Sequence, residues 1–306
     1  MSYLIVLALA CTIAYLGSLS RKARRARLPP GPPSIPIVGA LFSLPTVRPW
    51  ITFNEWSQKY GSDILFLDLP NQPTILLNSN KVAQELMERR SRNYSDRAVK
   101  IIDKLTGWDF ALSLMPYGQR WRETRRVFHQ YFHHAVVKDQ YYGTIGREIH
   151  EMLLRAAQSP DDGPLNLDVI RRSFATTIMD IVYGIKPGNE QHELITLSQK
   201  GVDIINESRT NVFWVEYFPW LAYLPSWLPG PHASAVEFGR KHARTVAGVR
   251  RAGFDIAAKR FAAGTATPSV TQRLLQRLEP LAGTDEYESE EEIAIDVTGV
   301  AYSGAL

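Results

Sequence analysis

From Ser2 to Ser20 the chain carries no charged side chain and consists mostly of Leu, Ile, Ala, Val and Tyr. That is close to the ~20 residues an α-helix needs to cross the hydrocarbon core of a bilayer. Arg21, Lys22, Arg24, Arg25 and Arg27 follow at once. A cleaved export signal carries its basic residues ahead of the apolar run, whereas here only Met1 precedes it; the sequence therefore predicts a retained anchor over residues 1–20. Basic residues beside a span stay on the cytoplasmic side, so the N-terminus is expected in the lumen and the bulk of the chain in the cytosol. A buried core helix is the competing reading, and the abrupt basic flank argues against it.

The same cluster accounts for the charge of the whole. The net charge of the 306 residues is +4, and those five basic side chains exceed it by themselves. The rest is close to neutral, which argues against a nucleic-acid surface spread over the fold. The single cysteine is Cys11, inside the predicted anchor, so no disulfide can form within the chain and no thiolate is available elsewhere.

Leu28-Pro29-Pro30-Gly31-Pro32-Pro33-Ser34-Ile35-Pro36 comes next. Prolines at that density stiffen the chain into an extended strut, and residues 21–39 read as a basic, proline-rich hinge ahead of the folded part, residues 40–306. Ile51, Phe53, Trp56 and Tyr60 recur near helical spacing before Gly61. Ile64 to Leu69 and Thr74 to Asn78 flank Pro70-Asn71-Gln72-Pro73, a hairpin pattern. Asn80 is the expected cap of a helix reaching about Arg90. Further helices are expected over Tyr141 to Ala157, with Ile145, Ile149, Met152 and Leu153 inward, over Leu167 to Tyr183, over His232 to Ala263 and over Val270 to Leu278.

Met115-Pro116-Tyr117-Gly118 punctuates the chain before Gln119-Arg120-Trp121-Arg122-Glu123-Thr124-Arg125-Arg126. A helix beginning near Gln119 puts Trp121 and Arg125 on one face, and Arg122 and Arg126 about 100° away, toward solvent or other acidic groups. An indole N–H and a guanidinium fork side by side can both donate to one carboxylate. The same spacing also suits a simple stack of Arg on Trp. His129 and His133 share a helical spacing that could chelate a metal, but Gln130 stands where a zinc hydrolase needs its Glu, and solvated or hydrogen-bonded histidines are the preferred reading.

Between Asn211 and Gly230, Phe213, Trp214, Tyr217, Phe218, Trp220, Tyr223 and Trp227 alternate with prolines. Aromatic rings with a polar tip favour a membrane interface; packing in the core is the alternative. Glu286, Glu288 and Glu290 to Glu292 form an acidic run, with Ser289 and Glu292 read as the capping box of a last helix rich in small residues, Gly299, Ala301, Ser303 and Gly304.

The proline strut, Phe53-x-x-Trp56-x-x-x-Tyr60-Gly61, Tyr94-Ser95-Asp96-Arg97 and Pro116-Tyr117-Gly118-x-x-Trp121-Arg122-x-x-Arg125-Arg126 resemble the N-terminal part of microsomal cytochromes P450, most of all the fungal enzymes that oxidise hydrophobic secondary metabolites. The resemblance implies a mainly α fold with a small β-hairpin, cut at the central helix and preceded by the membrane anchor. It implies haem as cofactor, with Trp121 and Arg125 donating to its propionates. It makes the aromatic stretch, with Phe213, Trp214, Phe218, Trp220 and Trp227, a loop that dips into the bilayer and admits substrate. The last helix becomes the one that passes over the haem, its small residues leaving room for oxygen. The implied partners are a hydrophobic small molecule, the membrane of the endoplasmic reticulum and NADPH-cytochrome P450 reductase.

The resemblance reaches Leu306, at or before the acid and Thr that in the family deliver protons to oxygen; the loop bearing the iron-ligating cysteine lies beyond it. Oxygen activation of this kind depends on an axial thiolate, so these residues alone are expected to be inactive. A membrane-tethered binder of hydrophobic molecules, or a scaffold, is the alternative role.

Overall fold

The computed structural model describes residues 28–304, apart from 36, 46, 159–166, 226, 227 and 229. The expected anchor over 1–20 and the basic half of the hinge lie outside the described residues. Among the described residues no helix is long and apolar enough to cross a membrane. The chain divides into two compact units, one reaching Asp96 and including Trp214–Tyr223, the other made of Arg97–Phe213 and Leu224–Leu306.

The first unit holds helix α1 (Pro49–Tyr60), ended by Gly61 in the left-handed conformation, and an antiparallel hairpin of β1 (Ile64–Leu67) and β2 (Thr74–Leu77). Leu65, Phe66 and Leu67 are all buried. The proline strut is laid along this hairpin: the Phe66 N–H donates to Pro30 C=O at 2.9 Å, and the Ala40 N–H to Asp68 C=O at 2.7 Å. A Cβ at Gly31 would lie 1.9 Å from the Phe66 carbonyl oxygen, and one at Gly39 would lie 1.8 Å from that of Asp68. Only glycine lets the two backbones approach so closely. The short helical turn Trp214–Tyr217 joins the same unit, with Gln72 Nε2 donating to Glu216 C=O at 3.0 Å and Tyr217 packed on Ala40, Leu67 and Leu69.

One local expectation fails here. Ser79, not Asn80, is the cap: its hydroxyl accepts from Val82 N–H, and the helix continues as a wider turn from Gln84 to Arg89. Ser fits that position because its short side chain reaches the unpaired N–H groups of the first turn from an extended backbone. In α1 no side chain is fully buried, and Ile51 is exposed.

The second unit is helical. Its main elements are α2 (Ile101–Thr106), α3 (Gln119–Phe132), α4 (Tyr142–Gln158), α5 (Leu167–Tyr183), α6 (Asn189–Thr210), α7 (Ala233–Ala262), α8 (Val270–Leu278) and α9 (Asp285–Ser303). Helix α9 is the axis of the packing, touching α3, α5, α6, α7 and α8. Residues Ile293 to Gly299 are buried without a break, which is what a helix surrounded by neighbours requires. Tyr183 and Tyr302 meet edge to face at 5.9 Å beneath it, and the Tyr302 hydroxyl donates to the Leu194 carbonyl.

Helix α9 starts at Asp285 after Thr284, so Ser289 lies inside the helix and the expected capping box does not form. Asp285, Glu286 and Glu288 occupy the first turn, where the helix dipole favours negative charge. On α4, Ile149 and Leu153 are exposed while Glu148 is turned in. The helix packs on α5 by the Glu148 side, where the Ser173 hydroxyl donates to Glu148 C=O at 3.3 Å. Ile145 and Met152, on the Glu148 side, are half-buried as expected, so periodicity placed half of the apolar stripe on the covered face and half beyond it.

Candidate functional site

Helix α3 begins at Gln119 as the sequence predicts, and its face presents Trp121 and Arg125 together. The Arg125 guanidinium carbon lies 5.3 Å from the centre of the Trp121 ring, and Tyr117 lies against the other end of that indole at 5.2 Å. The stack and the anion site are therefore compatible, because both side chains also border a cavity of about 470 Å³. Arg97, Trp108, Ala111, Leu112, Val202 and Val300 complete most of its wall. Among the described residues no carboxylate forms an ion pair with Arg125.

The cavity is amphipathic. Arg97 and Arg125 supply positive charge, while Ala111, Leu112, Val202, Ile205 and Val300 supply apolar surface. Arg97 is steadied by its Nε donating to Ser113 C=O at 3.2 Å. Ser303 and Gly304 of the α9 end also border the space, as the small-residue pattern anticipates. Gly299 does not: a Cβ there would meet Arg250 C=O at 2.9 Å and Phe110 Cε2 at 3.2 Å, so its bare face serves the crossing of α9 over α7. Volume and lining fall in the range of small-molecule and cofactor sites.

Beside the cavity α3 is tied to α9 by a pair that sequence reading missed. Arg120 donates to the fully buried Asp296 at 2.6 Å, and Arg250 of α7 donates to the other carboxylate oxygen at 2.7 Å. Burial pushes the Asp296 carboxyl above its ordinary range, with the two arginines working against that. Nothing local marks Asp296, since its partners are remote in sequence. Arg97 stood within a quoted motif, and only the fold brings it to Arg125.

Arg122 and Arg126 are exposed, as is Arg125, so the faces differ in what they border and not in exposure; Arg122 lies over the Tyr117 ring at 5.6 Å. His129 and His133 stack at 4.7 Å, and His133 Nδ1 accepts from Ala135 N–H.

The aromatic residues of the 213–227 stretch separate. Phe213 is 5% exposed and packs on Phe238 at 5.2 Å, so it belongs to the core because its neighbour on α7 covers it. Trp214 stacks on Phe218 at 6.1 Å, both half-buried. Trp220 is 61% and Tyr223 89% exposed. Trp227 lies outside the described residues.

Comparison with known proteins bears on the family. The family model for cytochrome P450 matches residues 29–301. Tryptamine 4-monooxygenase of Psilocybe cyanescens is 32% identical over 90% of this chain and 54% of its own length. Cytochrome P450 monooxygenase COX2 of Coprinopsis cinerea is 29% identical over 98% of this chain and 56% of its own. Cytochrome P450 monooxygenase ple1 of Rhodocybe pseudopiperita is 30% identical over 92% and 53%. The chain thus spans about half the length of the curated relatives it matches. A helical fold with one small hairpin and a match over nearly its whole length make this chain a member of the cytochrome P450 family.

Proposed function

We propose that the cavity bordered by Trp121, Arg125 and Arg97 receives the propionate side of the haem that the family carries, and that the protein takes part in oxygen insertion into a hydrophobic small molecule. The observation that carries this reading is the pairing of two guanidiniums and an indole with an apolar wall in one cavity. A haem is an apolar plate ending in two carboxylates, and the residues present suit both parts. Arg holds a carboxylate through a planar fork, which Lys cannot do. A haem held by a cysteine thiolate would supply oxygen activation, the electron density of the thiolate favouring cleavage of the O–O bond. Within residues 1–306 the only cysteine is Cys11, so these residues by themselves are proposed to hold the cofactor's carboxylates and not to activate oxygen.

The test separates charge recognition from apolar uptake. Haem and its dimethyl ester, in which both carboxylates are masked, are titrated into the purified protein and followed by Soret absorbance. Haem should bind more tightly than the ester, and Arg125→Ala should abolish that preference. Equal affinity of the native protein for both compounds, or no uptake of either, overturns the reading.

A second reading concerns the membrane and rests on the exposure of Trp220 and Tyr223. Ile37, Phe42, Val47 and Trp50, in the same compact unit, are exposed as well. Indole and phenol rings favour the boundary between headgroups and acyl chains. With the anchor expected over 1–20, this supports attachment to the endoplasmic reticulum membrane with the bulk facing the cytosol, where a membrane-bound reductase would deliver electrons. The role of non-catalytic binder would instead be supported if the dimethyl ester bound as tightly as haem.

A further inference from the structure

Asp296 stands one helical turn before Val300, which borders the cavity, and is 0% exposed. Arg120 reaches its Oδ2 through Nε at 3.2 Å and Nη2 at 2.6 Å. Arg250 reaches Oδ1 through Nε at 2.7 Å, bonds Glu292 as well, and lies over the Phe110 ring at 5.8 Å. Arg120, Arg250, Asp296 and Glu292 thus meet where α3, α7 and α9 come together, and Arg251 also pairs with Glu292 at 3.6 Å. The Arg120 side chain is 52% exposed, so apolar burial does not hold it in place. Its forked bond to a buried, immobile acid does.

Arg120 directly precedes Trp121, and the two side chains project about 100° apart on α3. A bond that fixes where Arg120 points therefore fixes the rotation of α3 about its axis. Without it, the rotation of α3 would rest on the packing of Thr124 and Val127 alone, and Trp121 and Arg125, on the exposed part of the helix, would lose the charged restraint that aims them. We propose that Asp296 is a positioning residue for this cavity: acting through Arg120, it sets the rotation of α3 and so aims Trp121 and Arg125 at the carboxylates of the bound group. The inference rests on the reading that this pair holds haem propionates.

The experiment loads the protein with haem and measures the rate at which haem passes to an excess of an apo-globin acceptor. Arg120→Gln should speed release by roughly tenfold, the scale on which groups that orient a ligand-holding residue act. Asp296→Asn should do the same, and the two together no more than either alone. In a background carrying both Trp121→Phe and Arg125→Ala, adding Arg120→Gln should change nothing further, because both donors being aimed are gone. Equal acceleration by Arg120→Gln in both backgrounds would mean that it only loosens the fold, and would overturn the inference. Should Asp296→Asn fail to fold, the Arg120 and Arg125 variants still decide the matter. Release from Arg125→Ala no faster than from the native protein would instead bring down the underlying reading of the cavity, and the aiming role with it.

Discussion

The crossing of α9 over α7 can be tested by a single methyl group. Gly299→Ala would place a Cβ 2.9 Å from Arg250 C=O, 3.2 Å from Arg250 Cα and 3.2 Å from Phe110 Cε2. Two of those atoms are backbone of a long helix and cannot turn aside as a side chain could, so α7 and α9 must separate. Overpacking of this kind costs about 1–3 kcal/mol, of which the better helix propensity of Ala returns up to ~1 kcal/mol. With that ~1 kcal/mol returned in full the net loss is up to about 2 kcal/mol, a midpoint lowered by up to roughly 8 °C for a unit of this size. Gly146→Ala is the control: it lies in α4, exposed, with nothing within 4 Å of its added Cβ. There the same change should stabilise by about 0.5–1 kcal/mol. Thermal melts followed by far-ultraviolet circular dichroism would give opposite signs for the two variants. A Gly299→Ala melt equal to or above the native one would refute the claim that backbone contact sets this crossing.

Three further outcomes are expected. In haem retention, Arg125→Ala should lose far more than Arg122→Ala, since Arg122 is exposed over Tyr117 and does not border the cavity; equal losses would remove the basis for assigning that face of α3. At high pH the fold should weaken: burial raises the Tyr183 and Tyr302 hydroxyls above their ordinary value, so they stay protonated in the fold while the unfolded chain ionises. Their stabilisation is intact below pH ~10 and falls as pH rises beyond it, by up to about 1.4 kcal/mol per pH unit for each; Tyr302→Phe should flatten the urea midpoint measured against pH. With residues 1–20 removed, replacing both Trp220 and Tyr223 by Ser should weaken binding to anionic vesicles by at least about tenfold, since burying one large apolar side chain contributes roughly 1.5–3 kcal/mol. An unchanged melting midpoint would show that the loss is one of contact and not of fold.

Much of the helical content was legible because its determinants are local. Gly118 and the breaker-free run after it mark the start of α3, and Gly61 and Gly184 end their helices through left-handed backbone that glycine adopts without strain. The spacing of Trp121 and Arg125 specified a shared face in advance of any fold. Failures came where a neighbour decides. Ser79 and Asn80 are both plausible caps by composition, and only the path of the chain out of β2 selects Ser79. Ile149 and Leu153 show the right period, yet α5 covers the other side of α4. Phe213 and Trp220 belong to one aromatic run, but Phe238 packs on the first, which is buried, while the second is exposed.

By itself, the sequence determined the family, the apolar and basic N-terminal pattern, the position of α3 and the confinement of the only thiol to Cys11. All of these follow from residue identity at short separations. The tertiary structure decided that Arg97 shares a cavity with Arg125, that Gly299 serves a helix crossing, and that Asp296 gathers Arg120 and Arg250. Those partners are far apart along the chain, and electrostatic and steric fit act on distance in space, which periodicity within one helix does not encode.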